Sequence, residues 1–404
     1  MPRASLDAGP VRRRLAYGLA AVSLAGIATG TVWGDFHRPV AWSPDGLFYQ
    51  ERLLEIRGKP HDQAVKEVFF GPISATLRRF DPARLTDPRW ISYNEAFFKR
   101  RLTVPATGAA IYPLDGKRSL LDVSLVGYVV AIVALFAFLV VRFSPVAAAS
   151  ATLATILLPQ LKGFAGLPLT DSWGLALEIL AFAFAVLTLD RGPRWLWGWI
   201  AVLLVLSFTR DNGWIAVAAI AWLAWRTRTR NGVLLLGTGF AALLPALFAY
   251  PLSYRRDLAF TVNNAEPPQH ATWHFIASHY PHAVSHLVRS DVGFLRNGQW
   301  YTAAYFAVGI VSLFIGRRTH GRDNVQMLVR SGAVAALLYL LVLPNFSAFR
   351  LELAFVPMAA FGIGLVVERI ARTALREWIH VGTRLEALLI GGGAAKDGQA
   401  GDTA

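Results

Sequence analysis

Apolar residues arrive in blocks along this chain. Leu15–Trp33 carries no charge, and further apolar runs occupy roughly 120–141, 146–161, 172–189, 195–208, 213–225, 232–252, 300–316, 327–343 and 351–367. About 20 such residues make a helix long enough to cross a bilayer. The pattern therefore predicts an all-α membrane protein with about ten transmembrane helices. Several runs are short, and 146–161, which meets Pro159 near its end, is expected to be tilted, broken or partly re-entrant.

Two long polar regions interrupt the blocks, at about 34–119 and 253–299. The first contains amphipathic pieces, Leu47–Ile56 and Ala64–Leu77, whose apolar residues recur at three-and-four spacing. These are expected to be short helices lying on the membrane surface within a large first loop. Residues 1–380 read as a single transmembrane domain, and 381–404, rich in Gly and Ala, as a flexible tail without the Gly-Lys-Ser/Thr ending of a phosphate loop. Arg12-Arg13-Arg14 before the first run would suit a cleaved signal peptide. The length of the run and the many runs after it favour a retained first helix.

Composition agrees. Of 404 residues, 54% are hydrophobic and only 16% charged, and the net charge is +14. A basic balance can mean nucleic acid, but no zinc finger, RNP-like segment or basic helix is present, so no nucleic-acid partner is expected. The charge instead follows the positive-inside pattern. From a cytoplasmic N-terminus, successive inside turns hold Arg142, then Arg191 and Arg194, then Arg226, Arg228 and Arg230, then Arg317, Arg318 and Arg322. Arg369, Arg372 and Arg376 follow the last run, so both termini are expected in the cytoplasm. Trp195, Trp197, Trp199, Trp222 and Trp225 beside these arginines read as interfacial belt residues. The chain has no cysteine, which excludes disulfides and thiol chemistry.

The same topology gathers ionisable residues on the outer face. Asp45 follows the first run, Asp171 opens the fourth, Arg210 and Asp211 occupy the tight turn SFTRDNGW, and Arg350 and Glu352 open the last run. Charged groups near hydrocarbon are costly unless they face a shared polar cavity, so the set predicts a site. The bland alternative makes Asp171 and Asp211 helix N-caps. In WSPDGLFYQERL, Pro44 suits a helix start, and Asp45 and Tyr49, four apart, share a face that Glu51 does not. One acid beside a tyrosine suits a single general base.

These segments resemble the GT-C glycosyltransferases, multi-span enzymes that use polyprenyl-phosphate-linked sugars. The first run leads into a large loop opening with an acid and a tyrosine. KRRLTVPATGAAIYPLDG precedes the second run, LPLTDSWGLALEILAF opens the fourth, LSFTRDNGWIAVAA is similar to the family's leucine-rich turn, and FRLELAFVP to its late arginine segment. Many members carry two adjacent acids in the first loop, whereas Asp45 is followed by Gly46. The resemblance implies sugar transfer to a glycan or lipid acceptor with inversion at an active site outside a bacterial-type plasma membrane. Asp45 would be the base, Arg210 and Arg350 would neutralise the departing phosphate, Asp171 would bind sugar or orient an arginine, and Tyr49 would line the acceptor side. Asp211 and Arg255 join the expected donor-binding residues.

No cofactor is expected, and a divalent metal is not favoured. His270, His274, His279, His282 and His286 include metal-like spacings, but Pro281 is expected to break any single helix among them. Arg100-Arg101 and Lys117-Arg118 read as solvated flanks. The competing classes are a transporter or flippase of lipid-linked sugars and a non-catalytic relative. The lack of an internal repeat and the position of the charges at helix ends favour the enzyme.

Overall fold

The structure is a computed structural model that describes residues 10–251, 254–315, 323–344 and 350–374. The expected tail, 381–404, lies outside the described residues. Every apolar run that the sequence predicts is helical, and no strand occurs among the described residues. The first helix, α1 (Pro10–Val32), leads into the first polar region through a single 3-10 turn. There the chain forms α2 (Pro44–Ile56), α3 (His61–Phe69), α4 (Ala75–Phe80), α5 (Pro82–Leu85), α6 (Pro88–Phe98) and α7 (Thr103–Asp115). The bundle continues with α8 (Ser119–Val140), α9 (Pro145–Ile156), α10 (Pro159–Ala165), α11 (Asp171–Arg191), α12 (Leu196–Ser207), α13 (Gly213–Thr227) and α14 (Arg230–Ala249). The second polar region supplies α15 (Tyr254–Val262) and α16 (Trp273–Arg296). Next come α17 (Trp300–Ile315) and α18 (Asn324–Val342), and the last helix, α19 (Leu351–Ala374), opens in a 3-10 turn.

The protein is thus an all-α membrane protein, but the count of ten spans is not reproduced. Six helical stretches are long and apolar enough to cross a bilayer, or seven if the bent pair α16–α17 is one span. The difference has local causes. Pro159 interrupts the predicted 146–161 helix, leaving α9 and α10 each too short to span. Helix α12 is also short, and a bend of 115° separates α16 from α17 where Gly298 adopts φ +87°. The apolar helix expected at about 120–141 is α8; α7 is a separate helix before it, and Gly116, at φ +57°, turns the chain so that α7 packs back on α8.

Two predicted helices in the polar regions are also redrawn. The amphipathic piece at Ala64–Leu77 splits into α3 and α4, because a Cβ at Gly71 would stand 2.2 Å from the Glu67 carbonyl oxygen and Pro72 follows. In contrast, α16 runs unbroken through Pro281. Its histidines 274, 279, 282 and 286 are exposed, and the group containing His270 forms no cluster with ligand geometry among the described residues. Trp199 is not an interfacial residue either: it is fully buried, and its Nε1 donates to the Leu235 carbonyl at 3.0 Å. Trp197, Trp222 and Trp225 are exposed.

The principal core lies among the long helices, with α11 packed between α8 and α12 and α13 against α18. At one end, Ser144 donates through its Oγ to Glu368 at 2.6 Å, Arg142 pairs with Asp323, and Asn231 reaches the Thr188 carbonyl at 3.1 Å. This end carries most of the basic turns. The opposite end receives the first turn of α11, the α12–α13 turn and the start of α19. A second core around Leu47, Phe48, Leu53, Phe69, Trp90 and Phe98 seats the helices of the first polar region on that end.

Helices α17 and α19 touch through backbone. A Cβ at Gly362 would lie 1.8 Å from the Gly309 carbonyl oxygen, and one at Gly309 would lie 2.5 Å from the Ala359 carbonyl oxygen. Small residues permit such close approach in membrane bundles. Gly309→Val is expected to force these helices apart and destabilise the protein by about 1–3 kcal/mol, as overpacking does. A lowered thermal midpoint in detergent would show this, and an unchanged midpoint would refute the contact.

Candidate functional site

Helix α2 begins as its sequence predicts. Ser43 caps it, accepting from the Gly46 N–H at 3.1 Å, and Pro44 occupies the first turn. Asp45 and Tyr49 then face the same side, toward the start of α11. Gly46 is required by the fit: its Cβ would meet Pro168 Cγ at 2.9 Å. A second acid beside Asp45 therefore has no room in this packing.

Asp171 is the meeting point. It opens α11 with its side chain 2% exposed, and it is not an N-cap, since Thr170 takes that position. Arg350 grips it with two hydrogen bonds, Nε to Oδ1 at 2.7 Å and Nη2 to Oδ2 at 2.8 Å. Arg210 donates to Oδ1 of the same carboxylate from the α12–α13 turn, and the third arm of Arg350, Nη1, donates to Asp45. Gly174, one turn along α11, makes room for Arg210, whose Cδ would stand 2.9 Å from a Cβ there. Asp211 is not an N-cap either, because Asn212 takes that place on α13.

Two residues read as solvated belong to this cluster. Arg100 and Arg101 are 6% and 7% exposed. They sit between α6 and α7 and are held against the Arg210 turn by the bond from the Thr103 N–H to the Phe208 carbonyl at 3.1 Å. Arg100 donates to Asp211 at 2.6 Å, and Arg101 donates to the Tyr49 hydroxyl at 2.9 Å. That hydroxyl also shares a hydrogen bond with Thr170 at 3.0 Å. Arg100 Nε and Nη1 and Arg101 Nε are buried without a partner among the described residues. The signal that could have found them is the aromatic pair Phe97-Phe98 just before: Arg101 lies 4.4 Å over the Phe97 ring. Lys117 is exposed as expected, but Arg118 is tied to the Asp35 and Arg38 carbonyls, each at 2.7 Å.

A cavity of about 270 Å³ opens beside the cluster, lined by Asp45, Arg101, Arg210, Arg350 and Asp257. Its outer wall is where the two polar regions meet. Tyr93 of α6 stacks on Phe260 of α15 with ring centroids 5.1 Å apart, and its hydroxyl donates to the Arg256 carbonyl at 2.7 Å. Trp90 donates to the Ala265 carbonyl at 3.2 Å. Arg255 does not join: it is exposed on α15, while Asp257, two residues on, reaches the cavity. Glu352 is buried but faces Asp291 of α16 rather than the cluster.

The cluster contains four guanidinium groups, Arg100, Arg101, Arg210 and Arg350, against Asp45, Asp171 and Asp211. The electrostatics reflect this excess. Burial, the largest single effect, raises Asp45, but Arg350, Arg101 and Arg210 together outweigh it, and the carboxyl is held below its ordinary value. Burial together with Arg350 and Arg101 pushes Arg210 down to about 10. Asp257 is raised, by burial first. Glu51 points away from the cavity, and burial beside Glu95 and Glu55 pushes it up to about 8.

No protein-family model matches the chain, and no curated protein matches it in sequence.

Two outcomes follow from the buried pairs. Asp171→Asn leaves Arg210 and Arg350 without their shared acceptor, and breaking a buried pair typically costs about 3–5 kcal/mol. A fall of this size in unfolding free energy is expected, and a loss within measurement error would contradict the central role of Asp171. Asp45 gives a pH dependence. Its lowered value means that its stabilisation is present above the ordinary 3.8 and is lost as pH falls through the folded value. The stability gap between wild type and Asp45→Asn should stay level above that point and close below it. A gap that closes near neutral pH would show that Asp45 is not held ionised.

Proposed function

We propose that the protein is an integral-membrane glycosyltransferase of GT-C type, moving a sugar from a polyprenyl-phosphate donor to an acceptor hydroxyl with inversion. The observation that carries this reading is the cavity wall, where three buried guanidinium groups, Arg101 with an unpaired Nε, Arg210 and Arg350, stand beside the carboxyl groups of Asp45 and Asp257. Arginine offers a fixed fork of donors that matches phosphate oxygens. Tyr93, Phe97 and Phe260 add apolar surface to the same wall.

In this mechanism Asp45 takes the proton of the acceptor hydroxyl. The oxygen attacks the anomeric carbon, the bond from that carbon to the phosphate oxygen breaks, and polyprenyl phosphate departs with the electron pair. Arg101, Arg210 and Arg350 neutralise the charge that develops on it. Asp45 is a weak base while Arg350 holds it; a donor phosphate that draws Arg350 away would raise its basicity where the proton is taken. Tyr49 borders the acceptor side, and Asp171 fixes both arginines. The positive-inside distribution supports a cytoplasmic location for both termini and an outward-facing site, as in a bacterial-type plasma membrane.

A second reading, a transporter or flippase of lipid-linked sugars, draws on one feature. Glu178, about two turns inside α11, is fully buried and accepts from Asn212 at 2.8 Å. Ionisable groups inside spans often mark transport paths.

The test uses the purified protein in nanodiscs with a panel of undecaprenyl-phosphate sugars and released glycan acceptors. Asp45→Asn is expected to lower turnover by about 10²–10⁴-fold while still binding undecaprenyl phosphate. Arg101→Gln should weaken that binding. Full turnover in Asp45→Asn would sink the base assignment. Sugar-lipid translocation in proteoliposomes without transfer would favour the transporter.

A further inference from the structure

One more group of ligand-type side chains stands apart from the cavity. Glu51 and Glu55 lie four apart on α2, so their carboxylates stack on one face. His61, the first residue of α3, turns its ring into the gap. Its Nδ1 lies 2.8 Å from Glu55 Oε1 and 3.4 Å from Glu51 Oε1. Its Nε2 faces Glu95 Oε2 of α6 at 3.7 Å. One ligand atom from each of Glu51, Glu55 and His61 lies within 4.8 Å of the others.

The charges do not balance within the protein. Glu55 has Arg52 at 2.6 Å. Glu51, its side chain 5% exposed, accepts no hydrogen bond among the described residues, and its oxygen is aimed at His61 Nδ1. No described arginine or lysine nitrogen comes within 4.0 Å of it. Two acids one turn apart also repel each other. A buried carboxyl in this position either keeps its proton or gives it up to a bound cation.

The spacing suits one. A zinc-class ion takes imidazole nitrogen and carboxylate oxygen at about 2.0–2.2 Å, which sets neighbouring ligand atoms roughly 3–4 Å apart. Ligating histidines commonly direct their second ring nitrogen to a carboxylate, and Glu95 stands in that place. Imidazole with carboxylates suits zinc or manganese better than calcium or magnesium.

We propose that Glu51, Glu55 and His61 bind one divalent ion of the zinc or manganese class through two carboxylate oxygens and Nδ1, with Glu95 orienting the imidazole. The ion ties α2 to α3, and through Glu95 to α6. Glu51 follows Asp45 by six residues on the same helix, about 9 Å along its axis. The ion therefore stands apart from the cavity and braces the helix that carries Asp45 and Tyr49. The proposal is independent of the glycosyltransferase reading.

The experiment takes full-length protein in detergent, stripped with chelator and dialysed against zinc, manganese or calcium, with bound metal measured by mass spectrometry. Wild type is expected to hold a single equivalent of zinc or manganese and to gain thermal stability with it. Glu51→Gln and His61→Ala should lose both effects. His61 is 45% exposed, so its truncation leaves the fold intact, which circular dichroism checks. Glu95→Gln should weaken binding about 10–100-fold. Wild type holding no more metal than His61→Ala would overturn the proposal. So would stoichiometric metal retained in both ligand variants, or calcium bound as tightly as zinc.

Discussion

The carboxylate of Asp171 organises one end of this bundle. It accepts two hydrogen bonds from Arg350 at the start of α19 and another from Arg210 in the α12–α13 turn, while opening α11 itself. Three separate parts of the bundle are thereby pinned to one buried group. A carboxylate removed from water is stable only when such donors replace its hydration. Asp171 thus needs the arginines, and the arginines need an anion nearby. Asp45, held by the remaining arm of Arg350, extends the arrangement to α2 and to the cavity.

The helices of the two polar regions follow from the same constraint. Arg100 and Arg101 extend the cationic side, and they reach it because α6 ends and α7 begins against the Arg210 turn. The aromatic contacts of Phe48 and Tyr49 with Phe98 fasten α2 to α6 and keep the tyrosine hydroxyl in the network. Residues 254–268 then close over α6 through Tyr93 and Trp90, which gives the cavity its outer wall. A rigid set of charges left in partial excess is the kind of environment that binds an anion without reorganising first.

Much of this was legible in the sequence, and the limits have physical causes. The acids and arginines at helix ends stood out because charge is rare beside apolar runs, and Asp45, Tyr49, Asp171, Arg210, Asp211 and Arg350 do converge. Arg100 and Arg101 were not recognised because a basic pair in a polar stretch looks the same whether solvated or buried. Arg255 was misplaced relative to Asp257 because two positions on one short helix differ by about 200° in direction. The count of ten was not reproduced where apolar runs make helices too short to cross, as at Pro159 and in α12, since hydropathy measures composition and not continuous helix length.

Apolar periodicity by itself determined that this chain is helical, that it carries helices fit for a bilayer, and where most of them begin and end. These are local properties, set by side chains within a few turns of one another. Only the tertiary structure decided which charges pair. Arg350 meets Asp45 across 305 residues and Asp171 across 179. Such contacts depend on which helix packs beside which, and in an apolar environment shape and a few polar anchors choose among arrangements that hydropathy leaves equal.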